Sequence, residues 1–137
     1  MGWQPYGLDR EAHKLVSKYK NEKDGNDWVI KQSHKMRVTV AYGLERFWGE
    51  HLRLQGSSKG AYWKDVWNTL ADILKKAEIV LPKDENIDIT SKYLWGEAKI
   101  EGKTLTLKDS QLALAVLTQL CDSLVWWTQR YKGGDDK

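Results

Sequence analysis

The sequence predicts a mainly α protein, a single-domain helical bundle of four to six helices with a small β-hairpin around residues 96–107. Three observations predict it. Apolar residues recur at steps of three and four through most of the chain, which is the helical period. The one long stretch that loses this period, Pro82 to Leu107, is punctuated by Gly96 and Gly102. The longest run, Lys108 to Lys132, is apolar round most of its circumference, which marks a helix with neighbours on several sides. At 137 residues the chain can bury a core without disulfide or metal staples.

Residues 1–8, with Pro5 and Gly7, read as irregular. A first helix is expected over Asp9–Lys20, with Asp9 as N-cap. Leu8, Ala12, Leu15, Val16 and Tyr19 share one face, and Arg10, Lys14 and Lys18 lie outside. Residues 21–27, NEKDGND, hold nothing apolar and read as a loop. One continuous second helix is expected from Ser33, or from near Trp28, to Leu54. Its buried stripe is Met36, Val40, Leu44, Phe47, His51 and Leu54. Gly43 and Gly49 fall inside it, each costing roughly 1 kcal/mol relative to Ala. Such glycines suit a place where something approaches the backbone closely.

Residues 55–60, QGSSKG, lead into a third helix capped by Ser58 and stopped by Pro82 after Leu81. Tyr62, Val66, Leu70, Ile73, Leu74, Ala77 and Leu81 form its core face, and Trp63 and Trp67 widen one flank. In the aperiodic stretch, Lys99–Leu105 reads as the hairpin, with Glu101-Gly102 near the turn. A short helix over Ser91–Trp95 is the competing reading. The final helix starts at Lys108 with Asp109 as N-cap, and Gly133 is expected just past its last turn. Ala113, Val116, Leu117, Leu120, Leu124, Trp127 and Tyr131 share its broad face, which Leu114, Cys121 and Val125 extend. Thr118, Asp122 and Gln129 form a narrow polar strip. Residues 133–137 read as a disordered tail.

Composition narrows the function. The single Cys121 excludes an intramolecular disulfide and, on an apolar face, reads as a buried thiol. No apolar leader and no run of about 18 apolar residues is present, so the expectation is a cytoplasmic protein with no membrane partner. The net charge of +3 is mild, so the placement of the charges must carry any case for an acidic partner. Eight Trp stand against one Phe. A Trp ring suits cores, interfaces and stacking alike.

Nothing in the sequence spells out catalysis. His13, His34 and His51 have no metal-ligand spacing, and paired C-x-x-C and H-E-x-x-H are absent. His51 reads as a hydrogen-bonded core histidine. GSSKG lacks the length of a phosphate loop and its leading strand. The expectation is no catalytic residue, no metal and no cofactor.

The best functional feature is a line of cations on the second helix. Counting about 100° per residue, a second stripe lies roughly 120–140° round from the buried one. It holds Lys31, Lys35, Tyr42, Arg46, Gly49 and Arg53, with no acid on it; Glu45 and Glu50 fall elsewhere, and Arg37 sits on the opposite shoulder near Trp48. Lys and Arg cover ordinary solvated surfaces everywhere. Like charges at i, i+4, however, repel slightly, and a polyanion relieves that repulsion while releasing counterions. Such contacts hold a sugar–phosphate backbone without reading sequence.

Two stretches resemble a known family. Ser33-His34-Lys35-Met36-Arg37 followed by Leu44-Glu45-Arg46 is similar to an early Lys/Arg-bearing helix. Cys121 to Gly134, CDSLVWWTQRYKGG, is similar to a terminal helix whose apolar-aromatic run ends in Tyr, a basic residue and glycines. Together they resemble the small helical subunit of type III CRISPR effector complexes, most like the III-A branch, with the III-B counterpart as nearest rival. The likeness covers about a third of the chain. It implies an antiviral-defence protein without catalytic activity, stacked in copies along a filament. The implied partners are the guide and target RNA backbone, the backbone subunits and the large subunit. Lys35, Arg37 and Arg46 would contact RNA, with Arg130 and Lys132 as further contacts; Lys31, Tyr42 and Arg53 come from the stripe alone. The Trp content and the hairpin depart from the family pattern. The alternative is a helical adaptor that binds protein through Trp3, Trp28, Trp48, Trp95 and Trp126. A small enzyme or sugar-binding module ranks last, since no polar constellation accompanies the rings.

Overall fold

The computed structural model describes the backbone of residues 5–83 and 86–135 and the side chains of residues 7–83 and 86–131. Six α-helices and two short hairpins make up the described chain, so the mainly helical class holds. Helix α1 spans Pro5–Tyr19. Its predicted face, Leu8, Ala12, Leu15, Val16 and Tyr19, is buried, and Arg10, Lys14 and Lys18 are exposed. Asp9 is not the cap. The helix begins a turn earlier, where Pro5 fits a first-turn position, and Asp9 Oδ1 instead accepts from Trp127 Nε1 at 3.0 Å.

The segment read as a loop forms a minimal hairpin, β1 (Lys23–Asp24) with β2 (Asp27–Trp28), turning at Gly25 with φ 62°. Two-residue strands are too short to leave an alternating signature. The hairpin caps another element: Asp24 accepts from the backbone N–H groups of Ser58 and Lys59 at 3.2 and 2.9 Å. These are orphan donors of helix α4 (Ser58–Lys75). The N-cap of α4 is Ser57, one residue before the expected Ser58, and its Oγ accepts from Gly60 N at 3.1 Å.

The expected long second helix is broken. A 3-10 turn (Val29–Lys31) leads into α2 (Gln32–Thr39), a second 3-10 turn (Val40–Tyr42) follows, and α3 runs from Leu44 to Arg53. Gly43 divides them with φ 97° and ψ 172°, a conformation open essentially to glycine alone. Met36, Val40, Leu44 and Phe47 are still buried, so the apolar spacing survives the break. His51 is half-buried and its Nδ1 lies 2.6 Å from the Trp48 carbonyl oxygen.

Helix α4 stops at Lys75, short of the predicted Leu81. The chain turns at Glu78, φ 62°, where Ile79 N–H reaches back to Leu74 O at 3.1 Å. The following extended segment sends Ile79 and Leu81 into the core and offers two carbonyls to buried rings: Trp67 Nε1 donates to Pro82 O at 2.7 Å and Tyr93 OH to Val80 O at 2.6 Å. Both readings of the aperiodic stretch are realised. Helix α5 (Ile87–Leu94) starts earlier than the Ser91–Trp95 alternative and is capped by Asn86, while β3 (Lys99–Ile100) pairs with β4 (Lys103–Thr104) through a turn at Glu101-Gly102.

Helix α6 (Leu107–Asp135) is the predicted centre. It packs along α1 and α2 and also meets α3 and α4; α4 forms a second centre against α3, and α5 lies on α3. Ala113, Val116, Leu117, Leu120, Cys121 and Leu124 are buried, and Trp127 and Tyr131 half-buried. Burial pushes the Cys121 thiol well above its ordinary range, in keeping with an inert core thiol. Asp109 is inside the helix, its N–H donating to Thr106 Oγ1 at 3.0 Å. The helix runs on through Gly133 and Gly134 to Asp135; the last two residues of the expected tail lie outside the described ones. Among the described residues no helix is long and apolar enough to cross a membrane.

Two glycines therefore predict opposite outcomes. A Cβ at either Gly43 or Gly49 would meet nothing within 4 Å. Gly43→Ala should destabilise by about 1–3 kcal/mol through backbone strain alone. Gly49→Ala, inside α3, should stabilise by about 0.5–1 kcal/mol. Urea unfolding of the two variants beside the parent checks both signs.

Candidate nucleic-acid interface

Helix α2 is held by Ser33 and Met36, both fully buried, so His34, Lys35, Arg37 and Val38 are left exposed. Helix α3 is held by Leu44, Phe47 and Trp48, which turns Arg46 and Arg53 outward. Tyr42, in the turn between them, is 65% exposed, and the Arg46 guanidinium lies over its ring at 5.5 Å. The break at Gly43 does not scatter the cations. Lys35 from α2 and Arg46 and Arg53 from α3 all lie close enough to Glu50 to act on its carboxylate.

That carboxylate corrects the sequence reading, which puts Glu50 off the cationic line. Arg53 Nε donates to both Glu50 oxygens at 3.1 and 3.0 Å, and its Nη2 donates to Oε1 at 2.8 Å. These hydrogen bonds first, and then the charges of Arg53, Lys35 and Arg46, hold the Glu50 carboxyl below its ordinary range, against partial burial that pushes it up. The same pair raises the Arg53 guanidinium further. An E-x-x-R spacing on one helix is the signal available in the sequence.

Arg37 is likewise engaged: its Nε donates to Asp122 Oδ1 of α6 at 2.6 Å. Lys31 is exposed and lies near Asp27, whose carboxyl is held low by a hydrogen bond from Lys59 and then by the Lys59 and Lys31 charges. Arg130 stands apart on α6, with its guanidinium 4.9 Å from the Trp126 ring centre and 5.7 Å from that of Trp127. The Lys132 side chain lies outside the described residues. Of the eight residues expected to touch RNA, the structure thus gathers Lys35, Tyr42, Arg46 and Arg53 in one place. Lys31 extends α2 backward, and Arg37 leads across to α6.

The charge is concentrated here. Between Val29 and Arg53 five Lys and Arg stand against two Glu, an excess equal to the whole chain's +3. Lys31, Lys35 and Arg46 make no ion pair among the described residues. Exposed cations of this kind can neutralise phosphates and release counterions. Elsewhere the polar groups serve the fold. His13, Ser17 and the Tyr131 hydroxyl form a cluster between α1 and α6, with His13 Nε2 and Ser17 Oγ 2.9 and 3.1 Å from the Tyr131 oxygen. A cleft of about 320 Å³ at the end of α4 is lined by Asp72, Lys75, Lys83 and Glu101 among others, but by none of the interface residues. No group of three or more metal-ligating side chains occurs among the described residues. Searches of family models, curated proteins and solved structures find no match to this chain.

Glu50 therefore restrains the interface. Its pair with Arg53 is fully present above the carboxyl's unfolded value, about 4.3, and is lost as the pH falls through the lower folded value. Glu50→Gln should remove the restraint at neutral pH. On the expectation that this face binds RNA, affinity should rise a few-fold and the salt dependence steepen by about one phosphate contact, with stability changed by no more than about 1 kcal/mol. Filter binding across a salt series and thermal melts measure these.

Proposed function

We propose that the chain is a non-catalytic, RNA-backbone-binding small subunit of an RNA-guided complex, of the type III CRISPR kind that its two motif stretches resemble. The observation that carries the reading is the exposure of Lys35 and Arg46 on the α2–α3 face, unpaired among the described residues, with Arg46 over Tyr42 and Lys31 exposed just before α2. Phosphates would take Lys35 as a point charge and Arg46 as a two-pronged donor. Tyr42, under the Arg46 guanidinium, would orient that donor. Arg37 and Arg53 join by exchanging a carboxylate of this chain for a phosphate. None of these contacts reads a base, which suits a subunit that follows a guide duplex held in register by pairing.

A second reading has its own support. Trp95 and Trp126 are 60% and 54% exposed, as protein hot spots in a free chain would be, and Ile87 and Leu107 are exposed as well. Of the other rings named for an adaptor, Trp48 is buried, Trp28 half-buried, and Trp3 lies outside the described residues. The RNA reading ranks first because the charge excess is concentrated on one face, whereas the exposed rings sit on separate helices.

The Lys35→Ala, Arg46→Ala double variant tests it. RNA affinity should fall, and the slope of log affinity against log salt should flatten by about 0.7–0.9 for each phosphate no longer held. The melting transition should move little, since both side chains are exposed. An unchanged affinity and slope would remove the face from the account, and salt-insensitive capture of a protein with no RNA would favour the adaptor. Purification from the host should bring RNA and larger subunits with the chain.

A further inference from the structure

Arg37 and Thr128 tie α2 alongside α6 in an antiparallel sense: Ser33 and Ile30 meet Thr128, while Arg37, further along α2, meets Asp122, further back on α6. Asp122, Trp126 and Arg130 stand at i, i+4 and i+8, on one outward line of α6 beside that seam. Trp126 is therefore about 6 Å along the axis from the carboxylate that holds Arg37. Its ring is more than half exposed, although every other Trp of α4 and α6 is buried or half-buried. Arg130 covers one side of it at 4.9 Å, a cation–π contact that orients an exposed indole and lends it positive charge.

Resting on the RNA-backbone reading above, we infer that Trp126, braced by Arg130, is a stacking platform for one unpaired nucleobase of the RNA whose phosphates lie on the α2–α3 face. A stacked strand advances about 3.4 Å per nucleotide, so a backbone held at Arg37 reaches Trp126 within about two steps. The indole presents a flat apolar face to any base, which makes the contact tolerant of sequence, and Arg130 adds charge attraction for the same strand. The Arg37–Asp122 pair stands where the two surfaces join: a phosphate that takes Arg37 from Asp122 places the next bases over α6. An acidic or apolar peptide could also use an exposed Trp. The net positive charge of the adjoining face and the arginine over the ring favour the nucleotide.

The test uses the full chain and three synthetic RNAs: a blunt duplex, the same duplex with an unpaired uridine overhang, and that overhang made abasic. Trp126→Ala should weaken binding of the uridine overhang about tenfold or more, leave the blunt and abasic ligands unchanged, and leave the salt slope as it was. Trp126→Phe should retain most of the affinity. A loss that is equal on all three ligands would overturn the platform, because a structural or purely electrostatic role predicts that pattern. If Trp126→Ala changes nothing while Lys35→Ala with Arg46→Ala does, the platform fails and the backbone reading stands. If the parent chain binds none of the RNAs, both fail.

Discussion

Three buried hydroxyls set where the cations of α2 point. Ser33, Tyr62 and Thr128 are all fully buried, one each from α2, α4 and α6. Ser33 Oγ lies 2.6 Å from the Tyr62 oxygen and accepts from Thr128 Oγ1 at 2.8 Å, and Thr128 also reaches Ile30 O at 3.2 Å. A buried hydroxyl left without a partner loses about 1–3 kcal/mol, so this node tolerates one rotation of α2 and few others. With Ser33 inward, Lys35 falls about 200° away and faces solvent, while Arg37 falls about 40° away, at the edge of the α6 contact. That is why Arg37 meets Asp122 while Lys35 makes no ion pair among the described residues. Hydrophobic contact alone does not choose a rotation so sharply, since Met36 and Val40 would be buried over a range of angles.

The constraint also explains which features are legible in the sequence. The apolar faces of α1 and α6, the stripe of α4 up to Leu74, and the Glu101-Gly102 turn depend on local spacing, and each is readable. Four features turn on backbone angle, side-chain reach or a partner across the bundle, which apolar spacing does not show. Gly43 looks like a weak point in one long helix because helical spacing continues across it; only the φ of 97° reveals a break. Asp109 and Asp9 look like caps by composition, yet Thr106 and an earlier helix start take those roles, Asp9 having a ring of α6 to serve. Nothing in the local spacing marks Ser33 and Thr128, yet they form the core node. Glu50 falls off the cationic line on a straight helix, but the carboxylate swings to Arg53 three residues on. Side-chain reach, not backbone phase, decides where a charge acts.

The interface is inexpensive to reorganise, and that matters for what it can bind. The Arg37–Asp122 and Arg53–Glu50 pairs each have an arginine at the surface, a class of contact worth about 0–1 kcal/mol. The Arg46–Tyr42 contact is of similar size, about 0.5–1 kcal/mol. Trading any of them for a charge-assisted bond to phosphate, about 1.5–3 kcal/mol, favours the ligand modestly. None of the cations has to be uncovered from the core, so binding needs no rearrangement of the bundle. The exposure that leaves them available also leaves them screened by salt, so their reach is only about a Debye length, some 8 Å in physiological salt.

On the proposed reading, the three cations unpaired among the described residues and the two that must be exchanged would hold RNA only weakly from a single copy. Counterion release from so few phosphates gives weak, salt-sensitive attachment at best. The arrangement makes physical sense in an assembly, where a second contact on the same strand becomes intramolecular and each weak site gains an effective concentration far above that of the free ligand. A rigid body suits that use. The buried node ties α2 to α6, so on the proposed reading each copy would offer the strand one geometry. Under that proposal, weakness per site becomes useful: the strand would be held mainly by the number of copies that engage together, each binding weakly and salt-sensitively by itself.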